Sequence, residues 1–182
     1  MEGGVTGNGS TAYTPIASAR MHQRNTDKLG DEDMDYRRYG QACYIRVDRG
    51  EDIISSILDV CHREGILSAT FSGIGGCGDA EIKVFSPADG AFRTERIEGM
   101  LELVSILGNV ISNDLSGYSC HAHAVFSYAE DGEHRVVAGH LGSSTVRYTA
   151  EIELRPVVGG AIGKRYDPET GTDFWGFASA GE

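Results

Sequence analysis

The sequence predicts an α+β fold, in which a mostly antiparallel sheet of about seven strands carries one amphipathic helix. Short segments that alternate apolar and polar residues recur along the chain, and residues 145–154 are the clearest example. Most connections between these segments are too short for the crossover that parallel strands require, which favours antiparallel pairing. A single stretch, residues 53–61, has the spacing of an amphipathic helix. The strands are predicted at residues 41–47, 66–72, 80–85, 92–97, 101–111, 118–127, 134–141 and 145–154.

The predicted helix has signals at both ends. Asp48 is predicted to be its N-cap, with Glu51 three residues later completing a capping box. His62-Arg63 fall in the last turn, where positive charge complements the helix dipole, and Gly65 can adopt the left-handed conformation that ends a helix.

A β-hairpin between residues 119 and 141 is predicted to gather three histidines. Asp131-Gly132 is a strong signal for a two-residue turn, and counting back from it places residue 123 opposite residue 140. Because side chains alternate along a strand, His121 and His123 share one face. His140 then lies beside His123, with about 5 Å between their Cβ atoms. A register slip of one residue would turn His140 to the other face.

Three neutral imidazoles at this spacing predict a site for a divalent metal, with zinc as the first choice. A site with three protein ligands leaves one coordination position open for water or substrate. The alternative is that His121, His123 and His140 are ordinary polar side chains on a solvated face.

Residues 73–78 match the G-x-G-x-x-G pattern of dinucleotide-binding turns. That pattern requires a helix directly after the glycines, whereas residues 79–85 alternate like a strand. We therefore predict a tight turn between two strands, with positive φ at glycine. A further possibility is that backbone amides line a ligand pocket, because glycine allows close approach. The candidate ligand-binding residues are Gly73, Gly75 and Gly139.

Glu102 is the candidate catalytic residue. It begins a long apolar strand and is predicted to share a face with Val104 and Ile106. A carboxylate that enters a core is costly unless it is paired. Three roles remain open for it, namely general base, metal ligand or structural acceptor for backbone amides.

Composition limits the partners and the compartment. The net charge of −11 argues against non-specific attraction to nucleic-acid phosphates. The four cysteines include no Cys-x-x-Cys pair, which argues against a zinc ribbon and favours buried free thiols in a reducing compartment. There is no apolar run of about 18 residues and no apolar signal segment at the N-terminus, so a cytoplasmic location without a membrane span is expected.

Three regions are predicted along the chain. Residues 1–35 form a flexible leader, because they are rich in Gly, Ser, Thr and Asn and show no periodicity. Residues 36–156 form the folded domain. Residues 157–182 form a tail that packs on the domain or on a neighbouring subunit.

Over residues 42–154 the chain resembles the plants-and-prokaryotes-conserved (PPC) domain family, in its prokaryotic single-domain type. The motifs that carry the resemblance, in order, are Arg49-Gly50-Glu51-Asp52, Ser72-Gly73-Ile74-Gly75, residues 101–109, His121-Ala122-His123-Ala124, Gly139-His140-Leu141 and Thr149-Ala150-Glu151. The resemblance implies a compact α+β domain that assembles as a homotrimer, and the family histidines fall on His121, His123 and His140. Plant relatives contact DNA through an AT-hook with an Arg-Gly-Arg-Pro core, which this sequence lacks.

Two functions of different classes follow. The first is a trimeric metal-binding protein that acts on or senses a small molecule, with Glu102 or a group from a partner subunit moving protons. The alternative, implied by the family label, is a DNA-associated regulatory or oligomerisation module. A small-ligand scaffold without catalysis is a third possibility.

Overall fold

A computed structural model describes residues 35–113 and 117–177 of the chain. Nearly all of the predicted leader, residues 1–34, and the last residues of the predicted tail, 178–182, lie outside this part. The strands are β1 (Asp35–Tyr39), β2 (Ala42–Asp48), β3 (Ser68–Ser86), β4 (Ala91–Asn113), β5 (Gly117–Glu130), β6 (Glu133–Ser143), β7 (Val146–Pro156), β8 (Ile162–Asp167) and β9 (Thr172–Phe177). One helix, α1 (Ile53–Arg63), is found among the described residues.

Seven of the strands form one antiparallel sheet in the order β1-β2-β7-β3-β4-β5-β6. The last strand, β6, also pairs with β3, so that β3, β4, β5 and β6 close into a ring. The remaining strands, β8 and β9, pair with each other in a separate hairpin. The predicted fold class, a mostly antiparallel sheet with one helix, is confirmed.

The two faces of the sheet have different surroundings. The inner face packs against α1, and side chains from the sheet and the helix form one apolar core that includes Ile45, Ile57, Val110 and Phe126. The outer face carries the alternate residues of the same strands, among them Leu107, which is 60% exposed. No helix of the described part is long and apolar enough to cross a membrane.

The helix begins at a different residue from the one predicted. The N-cap is Asp52, whose carboxylate accepts a hydrogen bond of 2.9 Å from the Ser55 N–H, so the prediction of Asp48 is wrong. The carboxylate of Glu51 instead accepts from the Asp48 N–H at 2.6 Å and closes the turn that precedes the helix. At the other end, Gly65 has a φ of 62° and ends the helix as predicted.

The glycine-rich stretch lies inside a strand, so the predicted tight turn at residues 73–78 is wrong. β3 runs through it without interruption, and none of its glycines has a positive φ. These positions lack side chains because β7 passes very close. A Cβ on Gly75 would lie 2.7 Å from the Cβ of Ala150, and one on Gly73 would lie 2.5 Å from the Glu151 carbonyl oxygen. Packing between strands therefore explains the glycines better than turn geometry does.

The four cysteines are free, as the sequence predicts, and Cys43, Cys61 and Cys77 are buried. Burial raises the pKa of Cys61 to about 12 and that of Cys120 also to about 12. These thiols therefore stay protonated near neutral pH, in a form that does not bind metal.

Candidate metal centre

The hairpin that carries the histidines has the predicted turn and register. Asp131 and Gly132 have φ values of 53° and 80°. Two positive φ values are typical of the two-residue turn whose twist matches that of antiparallel strands. From this turn the ladder continues without a bulge to the pair of His123 and His140. The local turn therefore decides which face His140 takes.

The three imidazoles meet on the outer face of β5 and β6. All three ligand nitrogens lie within 4.8 Å of one another. The ring centroids of His123 and His140 are 4.2 Å apart, and the ring of His121 lies 5.0 Å from His140 and 5.2 Å from His123. His121 and His123 are exposed and His140 is half-buried, so a ligand can reach the group from solvent.

These residues fit a divalent metal ion. Zinc–nitrogen bonds of about 2.0–2.1 Å in a tetrahedral site place the nitrogens roughly 3.3 Å apart. The present separations of up to 4.8 Å are longer, and rotation about the side-chain torsions of the histidines can shorten them. Within the described part of the chain, none of the three rings has a hydrogen-bond partner that would compete for its nitrogens.

The surroundings of His121 and His140 favour the neutral form of these two rings. Although His121 is exposed as a residue, partial desolvation of its ring lowers its pKa, and the charges of His123 and Lys164 lower it further. Burial also lowers the pKa of His140, followed by the effects of His123 and His121. Neutral imidazole is the form that binds metal, so both shifts favour metal binding near pH 7.

Neighbouring strands place one aromatic ring and one lysine beside His140. Phe92 of β4 packs its ring edge-on against His140, with 5.0 Å between the ring centroids. Lys83 of β3 lies opposite His140 in the ladder, and its ammonium is paired with Glu81 at 2.9 Å. Phe92 could not be identified from the sequence, because it reaches His140 only when β6 closes onto β3.

Glu102 does not enter the core, so that part of the prediction is wrong. A bulge between Leu103 and Ser105 reverses the alternation, which leaves Glu102 exposed on the outer face and buries Ile106 on the inner face. Glu102 pairs with Ser127, four residues along β5 from His123, or about 13 Å away. Its catalytic role stays a prediction, and within one chain it is separated from the histidines.

The glycines predicted to bind a ligand lie in two different settings. Gly75 and Glu102 line one cavity of about 570 Å³ on the outer face, and Gly73 lines a neighbouring cavity of about 640 Å³. A Cβ on Gly139 would lie 2.7 Å from the Lys83 carbonyl oxygen, so the closeness of β3 accounts for this glycine. Ligand contact at all three stays a prediction.

The chain is similar to one protein family and to several solved structures. Residues 34–158 match the model of the Plants and Prokaryotes Conserved (PCC) domain family, which is also abbreviated PPC. A metal-containing protein from Archaeoglobus fulgidus is 29% identical with a TM-score of 0.63, and the match covers 80% of this chain and 99% of that chain. A PPC protein from Pyrococcus horikoshii is 27% identical with a TM-score of 0.65, and the match covers 83% of this chain and 99% of that chain.

A Bacteroides thetaiotaomicron protein, named as a candidate DNA-binding protein, is 23% identical with a TM-score of 0.69. The match covers 79% of this chain and 97% of that chain. That likeness shows the fold alone. No curated protein matches the chain. Since the family model covers most of the chain, the chain belongs to the Plants and Prokaryotes Conserved domain family.

Proposed function

We propose that this protein binds a divalent metal, most simply zinc, through His121, His123 and His140, and that it acts on or senses a small molecule at this site. The observation that carries the proposal is the convergence of three ligand nitrogens within 4.8 Å on an accessible face of the sheet. The metal-containing relative from Archaeoglobus fulgidus supports it, since that protein shares 29% of its residues with this chain.

A bound divalent ion would polarise a carbonyl group or lower the pKa of a water molecule. The chain itself supplies a rigid frame, because His121 and His123 project from β5 and His140 from the directly paired position of β6. The ring of Phe92 packs against that of His140 and limits its rotation. Three protein ligands leave one position for a small molecule on the solvent side.

Metal analysis of protein purified without a nickel column tests the proposal. We expect about one zinc ion per chain in the wild type, as in other three-ligand sites, and a loss of nearly all of it in His123→Ala. His134→Ala is the matched control, because His134 is an exposed histidine on the same hairpin that lies near the turn. A zinc content well below one per chain that His123→Ala leaves unchanged would remove the basis of the proposal.

We also propose that the protein assembles as a homotrimer through its outer face. A helix covers only one side of the sheet, so apolar side chains on the other side stay exposed unless another subunit buries them. That side exposes large apolar residues, namely Tyr44, Ile74, Val104, Leu107 and Tyr148. In such an assembly Glu102 of a neighbouring subunit could supply the proton-transfer group that is distant within one chain. Light scattering coupled to size exclusion should give a trimer for the wild type and a smaller species for Ile74→Asp.

The alternative is a DNA-associated regulatory or oligomerisation module. Its support is the family label and the name of the Bacteroides thetaiotaomicron protein. The net charge of −11 opposes contact with phosphates. A gel-shift experiment at about 150 mM salt separates the two functions, because phosphate contacts give a steep dependence of affinity on salt.

A further inference from the structure

Two exposed phenylalanine rings continue the row of imidazoles at the metal centre. Phe92 of β4 packs edge-on against His140, with 5.0 Å between the ring centroids. Phe85 of β3 is paired with Phe92 in the ladder and packs edge-on against it, with 5.5 Å between the centroids. The rings of Phe85, Phe92 and His140 therefore form one continuous row that leads to the three-histidine group. We refer to Phe85 and Phe92 together as the aromatic wall.

The apolar core does not account for these two phenylalanines. Each is 51% exposed, and neither belongs to the core of the inner face. Ile82, on the opposite side of β3, fills the core at this end of the strand and is 1% exposed. Single exposed apolar residues are common on protein surfaces and need no explanation, whereas adjoining ones mark binding surfaces. Because the aromatic wall adjoins a group of ligating side chains, a ligand of that group is the natural occupant.

The charged side chains on the β3 side of His140 neutralise each other. Lys83 lies opposite His140 in the ladder, and its ammonium is 2.9 Å from the Glu81 carboxylate. A Cβ on Gly142 would lie 2.5 Å from a carboxylate oxygen of Glu81, so the glycine leaves room for the group that holds Lys83. Beside this neutral ion pair, the aromatic wall supplies the apolar part of the surface around His140.

A ligand on the metal can reach the aromatic wall. Zinc–nitrogen bonds are about 2.0–2.1 Å long, so an ion held by His140 lies within roughly 8 Å of the ring centre of Phe92. A phenyl ring joined directly to a metal-binding group has its centre roughly 5 Å from the ion, and aromatic pairs form with about 4.5–7 Å between centres. One benzene ring is therefore long enough to bridge the open coordination position and Phe92.

The aromatic wall is too small to form a subunit contact by itself. A phenylalanine side chain buries about 150–250 Å² at most and these two are already half-buried, whereas a stable interface buries about 800 Å² on each partner. The apolar residues that we assign to the trimer contact lie elsewhere, since Ile74 comes eleven residues before Phe85 on β3. The flat group of a small molecule matches the area that two half-exposed rings offer.

We infer that the three-histidine centre takes small molecules that carry an aromatic group next to their metal-binding oxygen or nitrogen, and that this group packs on Phe92 and Phe85. The inference rests on the proposed metal-binding function and names the class of its ligand. The histidines then hold the ion that binds the polar end of the molecule, and the aromatic wall selects for the apolar end.

A pair of hydroxamates tests the inference on the zinc-loaded full chain. Acetohydroxamate and benzohydroxamate bind zinc through the same two oxygens and differ in carrying a methyl or a phenyl group. Calorimetry gives both dissociation constants, and their ratio measures the preference for the aromatic group separately from the strength of metal binding. We expect the wild type to bind benzohydroxamate about tenfold more tightly than acetohydroxamate, and Phe92→Ala to reduce this preference to about twofold.

Two further variants separate the aromatic wall from the support of His140. Phe85→Ala removes the ring that packs against Phe92, so it should keep the wild-type zinc affinity and lower the preference to about three- to fivefold. Val136→Ala is the control, because Val136 is 69% exposed and lies on the same side of β6, four residues or about 13 Å from His140. We expect the full preference in this variant.

Equal affinity of the wild type for both hydroxamates, or binding of neither, with zinc present would overturn the inference and leave the metal function intact. Weaker zinc binding in Phe92→Ala with an unchanged preference would also overturn it, because Phe92 would then only position His140. A smaller oligomer of Phe92→Ala with an unchanged preference would assign the wall to a subunit contact instead. An equal loss of preference in Val136→Ala and Phe92→Ala would overturn the role of the wall. A wild type that holds no zinc would overturn both proposals.

Discussion

Strand β5 carries residues with different roles on its two sides, and these residues alternate along the strand. Ala122, Ala124 and Phe126 point to the inner face and are at most 4% exposed. His121 and His123 alternate with these residues along the strand, point outward and are exposed. One side of the strand packs in the core, and the other presents imidazoles to solvent. Stability and metal binding should therefore respond to different substitutions within the same six residues.

The largest expected effect is on the inner side. Phe126→Ala removes a fully buried ring, and the cavity should lower the free energy of unfolding by about 3–5 kcal/mol in urea denaturation. Val136→Ala is the control on β6, because Val136 is 69% exposed and its loss should cost about 0.5 kcal/mol or less. Similar losses in the two variants would contradict the assignment of the two faces.

The next effect concerns the contact between β3 and β7. Gly75→Ala places a Cβ 2.7 Å from that of Ala150, and we expect the free energy of unfolding to fall by about 1–3 kcal/mol. Gly160→Ala is the control, since nothing lies within 4 Å of a Cβ there and its φ is not in the left-handed region. If Gly75→Ala unfolded at the wild-type urea concentration, close packing would not explain this glycine.

A smaller effect is expected where the helix that covers the inner face begins. Asp52→Ala removes the bond from the Ser55 N–H and another, of 3.1 Å, from the Ser144 N–H, which should cost about 1–2 kcal/mol in thermal or urea unfolding. Asp48→Ala breaks only an exposed pair with Arg46 and should cost about 0.5 kcal/mol or less. A larger loss for Asp48→Ala would restore the cap that the sequence suggested.

The smallest effect on stability is expected on the outer side of β5. In metal-free protein, His121→Ala should change the free energy of unfolding by no more than about 0.5 kcal/mol, because the side chain is exposed. Zinc should raise the urea midpoint of the wild type but leave that of this variant unchanged, since binding to the folded state stabilises it. A large loss of stability without metal would mean that His121 also holds the fold.

Features that depend on neighbours in sequence were predictable. Asp131-Gly132 sets the register that pairs His123 with His140, and Gly65 ends the helix. Both signals act over a few residues, so no knowledge of the rest of the fold is required. The central part of the candidate site could for this reason be found from sequence.

Features that depend on distant segments were not predictable. The bulge between Leu103 and Ser105 reverses the alternation, so the face of Glu102 could not be read from a period of two. The glycine-rich sequence of β3 is typical of a turn, and only the close approach of β7 shows why glycine is required there. Phe92 reaches His140 through the closure of β6 onto β3. In each case the missing information was a long-range contact.

The closure of the ring also decides where the sheet can recruit further strands. Among the described strands of the seven-stranded sheet, β1 alone has a single partner. It is only five residues long and carries Asp35, Arg37 and Arg38, and short, charged strands discourage edge-to-edge aggregation. Replacing these charges with apolar residues would leave an apolar strand edge open to pairing, so we expect such a variant to aggregate.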